Sequence, residues 1–129
     1  QLIEGLEGVA ERTKPFEVRV GGALCFPRPE RARTLTLGIS RGREHLTALA
    51  NSCRTTAAHA GADPDGAKFV GHLTLARARS PFDATKWMRI IDSFPEKTWH
   101  VWELVLIKSN LMDPGNRFEM LERFTLAYA

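Results

Sequence analysis

The run FVGHLTLARAR, Phe69 to Arg79, decides how the rest of the chain is read. It is short and β-rich, and on a strand residues two apart point the same way. His72 and Thr74 therefore project from one face, while Leu73 and Leu75 are expected to pack into the other. An imidazole and a hydroxyl are then presented side by side. Imidazole moves a proton near neutral pH, and a hydroxyl can hydrogen-bond a phosphoryl oxygen, so the pair suits phosphoester chemistry. Arg77 adds a planar cation able to grip phosphate through two parallel hydrogen bonds. Strict alternation sends Arg77 to the face opposite His72, so this role requires the strand to end or twist between Thr74 and Arg77. A bare His-x-Thr is common by chance, and by itself it reads as two solvent-facing strand residues.

Upstream, Leu2, Ile3, Leu6, Val9 and Ala10 follow helical spacing from the first residues. Lys14-Pro15 breaks that pattern, and Phe16, Val18 and Val20 alternate with Glu17 and Arg19 as in a half-buried strand. Gly21-Gly22 is expected to bulge it ahead of Leu24 and Phe26. Pro27 and Pro29 close the strand in a stiff basic loop carrying Arg28, Arg31 and Arg33. Leu35, Leu37 and Ile39 then alternate with Thr34, Thr36 and Gly38, which completes a hairpin. From Arg43 to Ala60 one apolar face, Leu46, Leu49, Ala50, Cys53 and Ala57, marks a helix ending at Gly61. Asp63-Pro64-Asp65-Gly66 is a loop.

Downstream, Ser80-Pro81 is expected to break the chain before a second helix. Asp83 is its expected cap, and Trp87, Ile90, Ile91 and Phe94 form its inner face. Thr98 to Ser109 is apolar on both alternating sets, as for a strand covered on both faces and central in its sheet. Asp113-Pro114-Gly115-Asn116 is a turn, and Phe118 to Tyr128 returns as a final strand. Trp87, Trp99 and Trp102 suit core packing. The order of helices and strands gives an α+β fold with mainly antiparallel pairing.

Bulk composition narrows the classes. A chain of 129 residues with 43% apolar and 26% charged residues fits one ordinary globular domain rather than disorder, collagen or coiled coil. No apolar run approaches the roughly 20 residues that cross a bilayer. The 18 basic and 15 acidic side chains leave +3, a mild preference for anionic ligands. Cys25 and Cys53 lack ligand spacing and make no disulfide framework, so a cytoplasmic setting is expected. The chain opens at Gln1 inside a helical pattern with no capping group ahead of it, and an upstream segment is expected.

The surroundings of FVGHLTLARAR extend its meaning. The run, preceded by a loop and followed by a helix, resembles the second signature, His-x-Thr-x-x-Arg, of the two-histidine phosphoesterases of the RNA 2',3'-cyclic phosphodiesterase, or 2'-5' RNA ligase-like (LigT-like), family. FEVRVGGALCFPRPERARTLTLGI, from Phe16 to Ile39, is similar to that family's strand, Phe-Pro loop and returning strand. WELVLIKSNL from Trp102 and RFEMLERFTL from Arg117 resemble its last two strands. The resemblance covers nearly all of Gln1 to Leu126.

It implies a bilobal duplicated α/β fold with mainly antiparallel sheets around a central cleft, each half supplying one His-x-Thr strand. It further implies hydrolysis of RNA or nucleotide 2',3'-cyclic phosphate to a 2'-phosphate, and in some members reversible 2'-5' ligation, with no metal or nucleotide cofactor. The implied partners are RNA ends or nucleotides bearing the cyclic phosphate, with no membrane, and a monomer is expected. By this carry-over His72 is one of two proton-transfer residues, Thr74 an oxygen-binding donor and Arg77 a phosphate or nucleotide contact.

The family's first His-x-Thr belongs before its first helix. The chain of residues 1–129 is thus expected to be a single such domain lacking its N-terminal strand-helix-strand part. His45-Leu46-Thr47 repeats the motif but lies in a helical pattern, where residues two apart diverge by about 200°. It is set aside, and His59 and His100 are read as structural. Phe26 is a candidate for stacking on a base, since every base offers a π-face. Lys108 and Ser109, closing an apolar strand near the implied cleft, are candidates for ligand contact. The rival readings are a non-catalytic RNA-end or nucleotide-binding module lacking a second histidine, and an enzyme acting on a cyclic phosphate of a small metabolite.

Overall fold

Hydrophobic alternation from Phe16 to Val20 and from Leu35 to Ile39 builds the hairpin at the centre of the larger sheet. The computed structural model describes residues 1–127. Its elements are α1 (Leu2–Glu11), β1 (Phe16–Phe26), a 3-10 turn (Pro29–Arg31), β2 (Ala32–Arg41), α2 (Arg43–His59), β3 (His72–Phe82), α3 (Thr85–Asp92), β4 (Lys97–Val101), β5 (Glu103–Ser109) and β6 (Phe118–Thr125). A four-stranded sheet has the order β3-β2-β1-β4, and β5 and β6 form a second, antiparallel pair. The fold is α+β, as the sequence leads one to expect. The last strand ends at Thr125, and Tyr128 lies outside the described residues.

The chain forms two compact units. One comprises Gln1–Phe16, Ala48–Ala67 and the chain from Val101 onward; the other comprises Glu17–Thr47 and Lys68–His100. In the first, α1 buries Leu6, Val9 and Ala10, and the last strand buries Phe124. Beyond β6, the Ala127 N–H donates to the carbonyls of Ala10 and Thr13 at 3.0 and 2.9 Å, tying the end of the chain to the end of α1. In the second, Cys25, Ala32, Leu35, Ala84 and Ile91 form the core, with Ala23, Leu37, Phe82 and Met88 packed against it. Both cysteines are free, and burial raises the pKa of each thiol.

Two glycines set the ends of α2. Gly61 follows it at φ +96°, and the N–H groups of Gly61 and Ala62 donate to Ala58 and Ala57 at 3.1 and 2.9 Å. This is the Schellman pattern, which satisfies carbonyls that the helix end would leave unpaired. Gly42 precedes α2 at φ +83°, and its carbonyl accepts the Leu46 N–H at 3.1 Å. A methyl group at Gly42 would overlap the Glu17 carbonyl, whereas one at Gly61 would meet nothing within 4 Å.

Several expectations need correction. Ser80-Pro81 does not end β3, which runs on to Phe82. Helix α3 begins at Thr85, and Asp83 accepts the Thr85 backbone N–H at 3.0 Å and its hydroxyl at 2.7 Å; these bonds, the hydroxyl's foremost, lower the Asp83 pKa. The helix buries Ile91 with Ala84 and Met88 packed beside it, but Trp87, Ile90 and Phe94 are 51, 40 and 62% exposed. Two apolar stripes share Ile91. The one with smaller side chains, spaced 84, 88, 91, approaches the sheet more closely.

The run from Thr98 to Ser109 is not one central strand. It divides at Trp102: β4 joins the larger sheet and β5 pairs with β6, a pairing that the Leu126 N–H extends by donating to the Trp102 carbonyl at 2.9 Å. Ile107 is accordingly 53% exposed. Trp99 and Trp102 are about half exposed and are not core residues. Leu73 and Leu75 are also about half exposed, because β3 is the outermost strand of its sheet.

Left-handed backbone costs a non-glycine residue about 1–2 kcal/mol. Gly61→Ala should lose about that much stability in urea unfolding, and Gly42→Ala distinctly more, because backbone overlap adds to the strain. Equal losses at the two sites would contradict the packing described around Gly42.

Candidate functional site

Pairing across β2 determines which side chains share the face of His72. In the β2–β3 ladder Gly38 lies opposite His72, Leu37 opposite Leu73, Thr36 opposite Thr74, Leu35 opposite Ala76 and Thr34 opposite Arg77. Between the Thr36 and Leu35 pairs β2 advances one residue and β3 advances two, so Leu75 is the extra residue of a β-bulge. Thr34, Thr36 and Gly38 alternate along β2 and share one face, and residues directly opposite one another share a face too. His72, Thr74 and Arg77 therefore form one row on the same side of the sheet. The bulge supplies the break in alternation that the His-x-Thr-x-x-Arg spacing demands.

The same ladder logic reaches β1. Leu24 pairs with Thr36 and Phe26 with Thr34, which places Phe26 on the His72 face. The Phe26 and His72 rings meet with centroids 5.0 Å apart and planes tilted by 56°, an independent sign that the assignment of faces is right. Thr36 lies between the Phe26 and His72 rows, is completely buried, and donates its hydroxyl to the Leu24 carbonyl at 2.8 Å. Ala23, Cys25, Leu35 and Leu37 point to the opposite face, where Ala84, Met88 and Ile91 cover them. One side of the sheet carries the core, and the other carries the polar row.

His72 is exposed, and its Nδ1 lies 2.7 Å from the Val70 carbonyl. A carbonyl only accepts, so Nδ1 carries the hydrogen and donates it. In the neutral ring this leaves the Nε2 lone pair bare; in the cation Nε2 carries the mobile proton. Either direction of transfer therefore runs through Nε2. The Val70 carbonyl thereby anchors one edge of the ring. Val70 and Gly38, the latter paired with His72, line a cavity of about 470 Å³ that also meets Leu24, Arg43 and Lys68. The cavity's lining stops at Gly71, and the His72 ring itself is exposed rather than sealed in hydrocarbon.

Thr74 is half-buried and Arg77 exposed. Lys108 and Ser109 are not part of the row. They close β5 in the other unit, where Lys108 lies opposite Glu119 and Ser109 opposite Phe118. His45 and Thr47 sit in the first turns of α2 and do not share a direction, as the helical pattern requires. Arg33 donates to the Arg79 carbonyl at 3.2 Å and Arg28 lies 3.8 Å from Glu30, so these loop cations have protein partners. The Val70 contact to the ring went unread in the sequence. It has no signal there, because a carbonyl acceptor belongs to every residue.

An α+β protein whose antiparallel sheet carries a helix on one face and an imidazole, a hydroxyl and a guanidinium on the other is the class these features define. The chain belongs to the 2'-5' RNA ligase superfamily, whose family model matches residues 1–112. It is 28% identical over 130 residues to an RNA 2',3'-cyclic phosphodiesterase of Aquifex aeolicus, covering 98% of this chain and 69% of that protein. An RNA 2',3'-cyclic phosphodiesterase of Methanothermobacter thermautotrophicus is 28% identical over 116 residues, covering 88% of this chain and 62% of that one. Among solved structures, E. coli LigT complexed with 3'-AMP superposes with a TM-score of 0.67 at 25% identity, over 97% of this chain and 68% of LigT. The chain thus spans about two-thirds of the length of these relatives.

The bulge makes a position-specific prediction. Moving the guanidinium one residue back, in the double variant Ala76→Arg/Arg77→Ala, should not restore any phosphate or nucleotide binding that Arg77→Ala removes. Position 76 faces the helix side. Recovery of binding in the double variant, read by calorimetric titration, would mean that β3 alternates regularly.

Proposed function

We propose that this chain supplies one half of the active site of an RNA or nucleotide 2',3'-cyclic phosphodiesterase. The observation that carries the reading is the row of His72, Thr74 and Arg77 that the Leu75 bulge creates. Thr74 donates its hydroxyl to a non-bridging phosphoryl oxygen, and Arg77 neutralises the charge that grows on the phosphoryl group. His72 moves a proton through Nε2, either from the attacking water or to the departing 3' oxygen. Water adds to phosphorus, the bond to O3' breaks, O3' takes up a proton, and a 2'-phosphate with a free 3'-hydroxyl results.

The reaction needs a second proton-transfer group, which this reading assigns to a His-x-Thr strand preceding Gln1 in the full-length protein. RNA ends or nucleotides bearing the cyclic phosphate are the substrates it favours, and the relatives' names support that class. A complex of E. coli LigT with 3'-AMP supports a nucleotide as the bound group. Reversible 2'-5' ligation would use the same groups. No helix is long and apolar enough to cross a membrane among the described residues.

A binding module is the rival, favoured by one feature: among the described residues the motif occurs on a strand once, at His72, its other copy being helical. The test is incubation of full-length protein with a 2',3'-cyclic nucleotide, without added metal, followed by analysis for the 2'-phosphate product. Loss of one general acid or base costs about 10²–10⁴-fold, or roughly 3–5.5 kcal/mol of barrier. His72→Ala should fall by that factor with the fold intact by circular dichroism, and Thr74→Val should weaken turnover and phosphate binding together. Near-normal turnover in His72→Ala removes His72 from the chemistry; nucleotide binding with no turnover in the unaltered protein favours the module.

A further inference from the structure

The face carrying the polar row holds one aromatic ring in contact with the imidazole. Phe26 ends β1, and its row on the sheet is that of Thr34 and Arg77; His72 belongs two rows away, opposite Gly38. Gly38 has no side chain between them, and Thr36, in the intervening row, is fully buried. The Phe26 ring nonetheless reaches His72, at 5.0 Å between centroids and a tilt of 56°. That separation and angle lie in the range where aromatic rings attract through edge and face.

We propose that Phe26 is a positioning residue for His72: it holds the imidazole in the orientation that keeps Nδ1–H on the Val70 carbonyl and presents Nε2 to the ligand. This deepens the phosphodiesterase reading and rests on it for its catalytic consequence. Among the described residues, the hydrogen bond at 2.7 Å and the ring contact hold this imidazole on its edge strand. The hydrogen bond fixes one nitrogen but permits rotamers in which it is broken. The phenyl ring removes space that those rotamers need. With the His72 ring tilted against it, Phe26 is committed to the protein rather than offered as a flat platform for a nucleobase, the role for which its π-face made it a candidate.

The two roles separate in kinetics and in spectra. A positioning group acts on the geometry of the reacting step, whereas a base platform contributes binding and base preference. In full-length protein, Phe26→Leu should lower kcat about tenfold for both 2',3'-cyclic AMP and 2',3'-cyclic CMP with KM within about twofold, a misplacement effect. Phe26→Tyr, which keeps the ring, should recover most of the rate. A rise in KM at unchanged kcat, or a loss confined to the purine substrate, overturns the proposal and makes Phe26 a base platform.

A second readout does not depend on turnover. Nitrogen-15 NMR of the His72 ring should show the single Nδ1–H tautomer in the parent and in Phe26→Tyr, and a mixture of tautomers in Phe26→Leu. An unchanged single tautomer in Phe26→Leu also overturns the proposal. If the parent protein opens no cyclic phosphate, the functional reading fails, and the ring spectra still decide whether Phe26 positions His72.

Discussion

Side chains on a strand alternate, so residues two apart share a face and residues five apart do not. His72, Thr74 and Arg77 have those spacings, and only a break in regular pairing can bring all three to one side. The break is the single extra residue Leu75, set between the Thr36–Thr74 and Leu35–Ala76 pairs. Bulged ladders lose a hydrogen bond and gain twist, and they recur where a side chain must be re-aimed. Here the re-aimed group is a guanidinium, the one member of the trio that carries a permanent charge. The site's chemistry thus follows from a backbone irregularity as much as from its side chains.

The two faces of the larger sheet divide their tasks cleanly. Cys25, Leu35 and Leu37 pack on Ala84, Met88 and Ile91, so the core lies on the helix side. The other face is free to carry polar groups without leaving them stranded: Thr36, its fully buried member, donates to the Leu24 carbonyl. His72 is held by a backbone carbonyl two residues upstream, which accepts from Nδ1. A site built on strands in this way is more rigid than one built on loops, and proton transfer and phosphate binding both need fixed geometry.

Much of this was legible in the sequence because the controlling signals are local. Alternation from Phe16 to Val20, the Gly21-Gly22 irregularity, the hairpin partner at Leu35 to Ile39 and the helix ending before Gly61 all recur in the fold. The facing of His72 and Thr74 followed from alternation alone. The position of Arg77 did not, since a bulge is a property of two strands together and β3 cannot announce the count on β2. Burial was the least legible quantity. Trp87, Ile90 and Phe94 have helical spacing and yet stay exposed, because a short helix with two apolar stripes offers no local rule for choosing between them. Leu73 and Leu75 face the helix side as alternation demands but sit on an edge strand, a fact fixed by topology rather than by period. The split of the Thr98–Ser109 run likewise follows from its two halves joining different sheets, with partners distant in sequence.

The most direct measurement is the register of β2 against β3 by proton NMR. Cross-strand Overhauser contacts should pair Thr36 with Thr74 and Thr34 with Arg77, with Leu75 lacking a partner of its own. Contacts pairing Thr36 with Thr74 but Thr34 with Ala76 would describe an unbroken ladder. In that case Arg77 would lie on the helix side, and the common face on which the functional reading stands would not exist.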